Sequence, residues 1–120
     1  MPTLKKLINQ IQHNDPYILK INEIIQQDKQ TKHILRGLLN DIDFEATLNE
    51  YKLIAKTKTT YGMVPDMYQF TITKNDEEFL KGNITPIQKI QKFKVTFDYD
   101  FDKDLVELND DIVQLFEDAI

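Results

Sequence analysis

The chain has 120 residues, 20 acidic against 15 basic side chains and a net charge of −5. That length suits one domain burying about two thirds of the surface its unfolded form exposes. With 41% apolar and 29% charged residues it falls outside the disordered class. The absence of cysteine, serine and tryptophan excludes a disulfide framework, thiolate ligation of zinc and the usual acyl-transfer nucleophiles.

Near the N-terminus, Leu4, Leu7, Ile8 and Ile11 are interrupted by Asn9, Gln10 and Gln12, so no signal-peptide core is read there. No run approaches the length of a membrane span. These features lead us to expect a cytoplasmic protein without a membrane partner. Richness in Ile, Lys, Asn and Asp suggests an AT-rich coding source, such as a low-GC bacterium or one of its phages.

In chain order, Thr3 can cap a short helix whose stripe is Leu4, Leu7, Ile8 and Ile11. Asp15 and Pro16 open a second, with Ile18, Ile21, Ile24 and Ile25 inward and the polar run Gln26 to Gln30 ending or exposing it. A third carries Ile34, Leu35, Leu38, Leu39 and Ile42, interrupted by Gly37, which is costly in a helix unless another element approaches closely.

From Glu50 the period changes to two. Tyr51, Leu53, Ala55, Thr57 and Thr59 alternate with Lys52, Ile54, Lys56 and Lys58, and Tyr68, Phe70 and Ile72 follow beyond the turn residues Tyr61 to Asp66, predicting an antiparallel hairpin. Asn75-Asp76-Glu77-Glu78 reads as a capping box opening one helical turn that stops at Gly82. Phe93, Val95, Phe97, Tyr99 and Phe101 form the clearest strand, expected inside the sheet. Asp104 and Glu107 then read as a capping box for a C-terminal amphipathic helix carrying Leu105, Leu108, Ile112, Leu115 and Phe116. The rival reading makes Leu105 to Leu108 a return strand, with Asn109 capping a shorter helix. The expected architecture is one α+β domain over residues 1–120, with N-terminal helices and a C-terminal amphipathic helix packed on a three- to four-stranded antiparallel sheet.

Charge is divided unevenly. Residues 97–120 hold nine acids, Asp98, Asp100, Asp102, Asp104, Glu107, Asp110, Asp111, Glu117 and Asp118, against Lys103 alone, a net of −8. The other 96 residues hold 14 bases and 11 acids, a net of +3. Such a segment repels nucleic acid and attracts basic protein surfaces. Its plainer explanation has Asp98 and Asp100 facing Lys56 and Lys58 on a neighbouring strand, and the later acids favouring a helix N-terminus. The alternating acids do not make a calcium loop: counted from Asp98, Lys103 stands where the turn glycine belongs and Asn109 where the bidentate glutamate belongs.

Lys52, Lys56 and Lys58, after three helices and leading into a hairpin, suggest a winged-helix nucleic-acid binder. Against it stand the overall acidity, the single arginine Arg36, and a third helix that offers only Lys32, His33 and Arg36. His13 and His33 lack partners at metal-ligand spacing, and Gly37, Gly62 and Gly82 are too scattered for a phosphate loop. No catalytic, cofactor-binding or metal-binding residue is expected. The leading expectation is a non-enzymatic accessory or inhibitor-type domain that contacts a partner protein through the nine acids. The alternatives are a nucleic-acid module using Lys52, Lys56 and Lys58, or a structural subunit of an assembly.

Overall fold

The structure, a computed structural model, describes residues 15–87, 89–98 and 108–120. In chain order these form α1 (Pro16–Gln26), α2 (Asp28–Leu39), β1 (Phe44–Leu48), β2 (Tyr51–Lys58), β3 (Met67–Lys74), β4 (Glu77–Ile87), β5 (Lys92–Asp98) and α3 (Asp110–Ala119). The helix expected at Thr3 to Ile11 lies outside the described residues.

Helix α1 starts as its sequence requires: the Asp15 carboxylate accepts from the amides of Tyr17 at 2.8 Å and Ile18 at 3.3 Å, with Pro16 at the first helical position. It ends because Gln27 is extended, at φ −64° and ψ 141°. The next helix begins at once, so the polar run Gln26 to Gln30 is a corner followed by the first turn of α2. Lys92 holds this corner by donating to the Gln26 carbonyl at 3.0 Å and pairing with Asp28. The hydrogen bond and charge of Lys92 keep the Asp28 carboxyl below its ordinary range.

Helix α2 turns Thr31, Ile34, Gly37 and Leu38 inward, whereas Leu35 is 50%, Leu39 65% and Ile42 53% exposed. This corrects the stripe read from the sequence. The rotation follows from Gly37, where a Cβ would collide with the Tyr68 hydroxyl and lie 2.7 Å from Phe44 Cζ. Tyr68, fully buried, donates its hydroxyl to the Ile42 carbonyl at 2.5 Å and packs its ring on Phe44 at 4.7 Å.

Among the described residues the sheet is a five-stranded antiparallel meander in the order β1-β2-β3-β4-β5, against the three or four strands expected. The hairpin of β2 and β3 forms as read, pairing Leu53 with Ile72 and Ala55 with Phe70. Two strands were not foreseen. One is β1, whose five residues are too few for a firm period. The other is β4, because Asn75-Asp76-Glu77-Glu78 is a hairpin turn and not a capping box. Asn75 and Asp76 adopt φ 51° and 66°, the left-handed pair that suits the twist of adjoining strands. Gly82 therefore sits within β4 and stops no helix. A register shift between Ile72 and Thr73 leaves Phe79 as the extra residue of a bulge, which packs its ring near Tyr51.

Among the described residues β5 is an edge strand, not the interior strand expected, and α1 guards it: the Val95 amide donates to Asn22 Oδ1 at 2.8 Å. Its continuation to Tyr99 and Phe101 lies outside the described residues. The last helix starts at Asp110 and not at Asp104, in keeping with the second half of the rival reading. The Asn109 side chain accepts from the Ile112 amide at 3.2 Å, and its Nδ2 donates to the Tyr51 hydroxyl at 3.2 Å.

One face of the sheet is covered by α1, which packs against β5, and by α3, which packs against β1, β2 and α1. Its centre is an aromatic triad with edge-on geometry: Phe70 lies 5.2 Å from Phe116 and 5.5 Å from Phe97, and Phe97 lies 6.2 Å from Phe116. Phe70 is directly opposite Gly82. A Cβ at Gly82 would strike the Thr96 carbonyl oxygen and the Phe70 ring.

We expect Gly82→Ala to cost about 2–3 kcal/mol, since backbone as well as ring would have to move, and Phe116→Ala about 3–5 kcal/mol; urea unfolding reads both. Burial, reinforced by Asp43 and Asp41, pushes the Tyr68 hydroxyl above its ordinary range. A pKa raised in the folded state stabilises below the unfolded value of about 10 and ceases to do so above it. Stability should therefore fall as pH rises beyond 10, and Tyr68→Phe should lessen that fall in unfolding titrations at neutral and alkaline pH.

Candidate functional site

Successive strands run in opposite directions, so the β1–β2 turn, the β3–β4 turn and the C-terminal end of β5 lie at one end of the sheet. The start of α3 joins them there, tied by Asn109 to Tyr51 and by Asp111, which accepts from Asn49 Nδ2 at 3.3 Å. Asp98, Asp110 and Asp111 consequently share this pole with Glu50, Asp76, Glu77 and Glu78. Those four acids were missed in the sequence because they belong to turns far from the acidic segment. Only the hairpin geometry places them beside it.

Asp110 and Asp111 occupy the first turn of α3, where the helix dipole favours negative charge by about 0.3–1 kcal/mol each. The lysines near the pole neutralise little of the rest. Lys81 pairs with Glu78 at 3.2 Å, and Lys74 sits over the rings of Tyr51 at 5.8 Å and Phe79 at 5.5 Å. Asp98 faces Lys81 across β4, not Lys56 or Lys58, which stand on β2 three strands away. This corrects the pairing expected from the sequence. Among the described residues Asp98, Asp110 and Asp111 enter no ion pair.

The other acids of the expected set separate from this group. Glu117 and Asp118 are at the opposite end of α3, where Asp118 accepts from Gln114 at 2.8 Å and Glu117 lines a cleft with Lys29, Lys32 and Arg36 of α2. Asp100, Asp102, Asp104 and Glu107 lie outside the described residues.

Lys52, Lys56 and Lys58 project from β2 onto the other face of the sheet, which no described helix covers, since they alternate with the buried Tyr51, Leu53 and Ala55. Lys81 and Lys94 reach the same face by the same alternation on β4 and β5. A shallow depression of about 280 Å³ there is lined by Ile54, Lys56, Gln69, Thr71 and Lys81. The hairpin of β2 and β3 is the middle of the sheet and does not project from it as a wing would. Among the described residues the uncovered face presents no aromatic ring of the kind that stacks on unpaired bases.

His33 is stacked on Phe44, ring centres 5.3 Å apart. His13 lies outside the described residues. Among the described residues no three His, Asp or Glu side chains gather as metal ligands would, and no helix is long and apolar enough to cross a membrane. Comparison with protein-family models, curated proteins and solved structures yields no match.

Because Asn109 both caps α3 and ties its start to β2, we expect Asn109→Ala to lower stability by about 1 kcal/mol in urea unfolding.

Proposed function

We propose that this chain is a non-enzymatic accessory or inhibitor-type domain that binds a protein partner through its acidic pole. The observation that carries this reading is the convergence of Asp98, Asp110 and Asp111 with Glu50, Asp76, Glu77 and Glu78 on one end of the sheet. These acids come from four separate connections and element ends, which a locally charged stretch of chain would not bring together. The complementary surface is basic, and the field of such a pole acts chiefly by accelerating encounter. Asp100, Asp102, Asp104 and Glu107, the other acids of the expected contact, follow Asp98 in the sequence. A subunit contact in a larger assembly would use the same pole in the same way.

Affinity purification from the native host with mass spectrometry would identify the partner without a prior guess. We expect the triple substitution Asp98→Asn, Asp110→Asn, Asp111→Asn to weaken its capture, chiefly through slower association, with the loss largest at low salt. Unchanged association rates across ionic strengths would overturn the proposal.

A second reading rests on Lys52, Lys56 and Lys58 being joined by Lys81 and Lys94 on the uncovered face, a basic surface for phosphate backbones. It requires binding to random-sequence DNA or RNA that weakens steeply with salt. No binding at low ionic strength would eliminate it.

A further inference from the structure

Helix α2 places Lys29, Lys32, His33 and Arg36 on one side, spaced i, i+3, i+4 and i+7. Together with Gln30, with Glu117 from the last turn of α3 and with Ile120 just after it, they line a cleft of about 490 Å³. In the sequence Lys29 falls in the polar run Gln26 to Gln30, apart from the Lys32, His33 and Arg36 of the third helix. Nor does the sequence place the end of α3 opposite.

The cleft lining carries an excess of positive charge, three cations against the single acid Glu117. Like charges at these spacings disfavour the helix, and Lys29 lies near its positive N-terminal end. Asp28 is paired with Lys92 and also feels the charge of Lys32, while Glu117 is the acid that lines the cleft against Lys29, Lys32 and Arg36. Among the described residues, Gln30 Oε1 is sealed from solvent without a hydrogen-bond partner.

We infer that the cleft between α2 and the last turn of α3 binds a phosphate-bearing small molecule of about nucleotide size. A phosphate group offers several acceptor oxygens and up to two charges, which suits donors approaching from three side chains. A single carboxylate would satisfy fewer of them. The volume falls within the range of about 300–1,000 Å³ usual for small-molecule sites. Ile120 supplies apolar surface for the organic part, and the His33 ring, held against Phe44, adds a flat one.

The test is a titration of the full chain, labelled with ¹⁵N, with inorganic phosphate, pyrophosphate and ATP at constant ionic strength, with sulfate as control. Saturable shifts confined to residues 29–36 and 117–120 are expected, with affinity rising with the number of phosphates. Lys32→Gln and Arg36→Gln should each weaken ATP binding about tenfold. Glu117→Gln should tighten it several-fold, a gain that misfolding would not produce. Shifts that fail to saturate, that spread equally over Lys52, Lys56 and Lys94, that sulfate reproduces at equal affinity, or that survive both cation substitutions would overturn the inference.

Discussion

Most of this structure depends on a row of side chains that crosses the covered face of the sheet. Phe44, Ala55, Phe70, Gly82 and Phe97 are successive cross-strand partners on β1 to β5. Large and small residues alternate along it. Rings on neighbouring strands only about 5 Å apart could not all lie flat on one face. The small residues at Ala55 and Gly82 give each ring the width of two strands, and Phe70 uses the space over Gly82 to reach Phe97. The edge-on gap that results receives Phe116.

The seat of Phe116 fixes α3, and α3 in turn fixes where charge is displayed. With Phe116 on the triad and Asn109 bonded to Tyr51, the helix begins at the end of the sheet that holds the acid-rich turns. Its other end then comes down beside α2. The corner at Gln27 matters equally. A straight continuation of α1 would carry the basic residues of α2 past the sheet. The extended Gln27 and the grip of Lys92 instead send α2 from β5 toward β1. Its twelve residues span about 18 Å, close to the width of five strands at about 4.8 Å spacing. Acidic pole and basic cleft thus both follow from the way the aromatic row and one corner orient the helices.

Several elements were legible in the sequence because their signal is local. Asp15-Pro16 names a helix start, and Tyr51 to Ala55, Tyr68 to Ile72 and Phe93 to Phe97 alternate plainly. Others failed for identifiable reasons. Asn75-Asp76-Glu77-Glu78 satisfies a helix cap and a hairpin turn alike. Pairing of Lys74 with Glu77 across the turn decides between them. Leu35, Leu39 and Ile42 fit a helical stripe as well as Thr31, Ile34 and Leu38 do. The close approach of Phe44 and Tyr68 at Gly37 selects the second set. Asp104 and Asn109 are both good caps, and the hydroxyl of Tyr51 favours the later one.

By itself the sequence determined the α+β class, the central hairpin, the inward face of α1, and a division of charge between the last 24 residues and the rest. It could do so because periodicity, capping and composition are properties of short stretches. Tertiary structure alone decided which acids stand together. It divided the C-terminal set between two ends of α3, recruited Glu50, Asp76, Glu77 and Glu78 to one of them, and set Glu117 against the cations of α2. Coulomb interactions depend on distance in space, and the turns and packing that set those distances join residues remote in the chain.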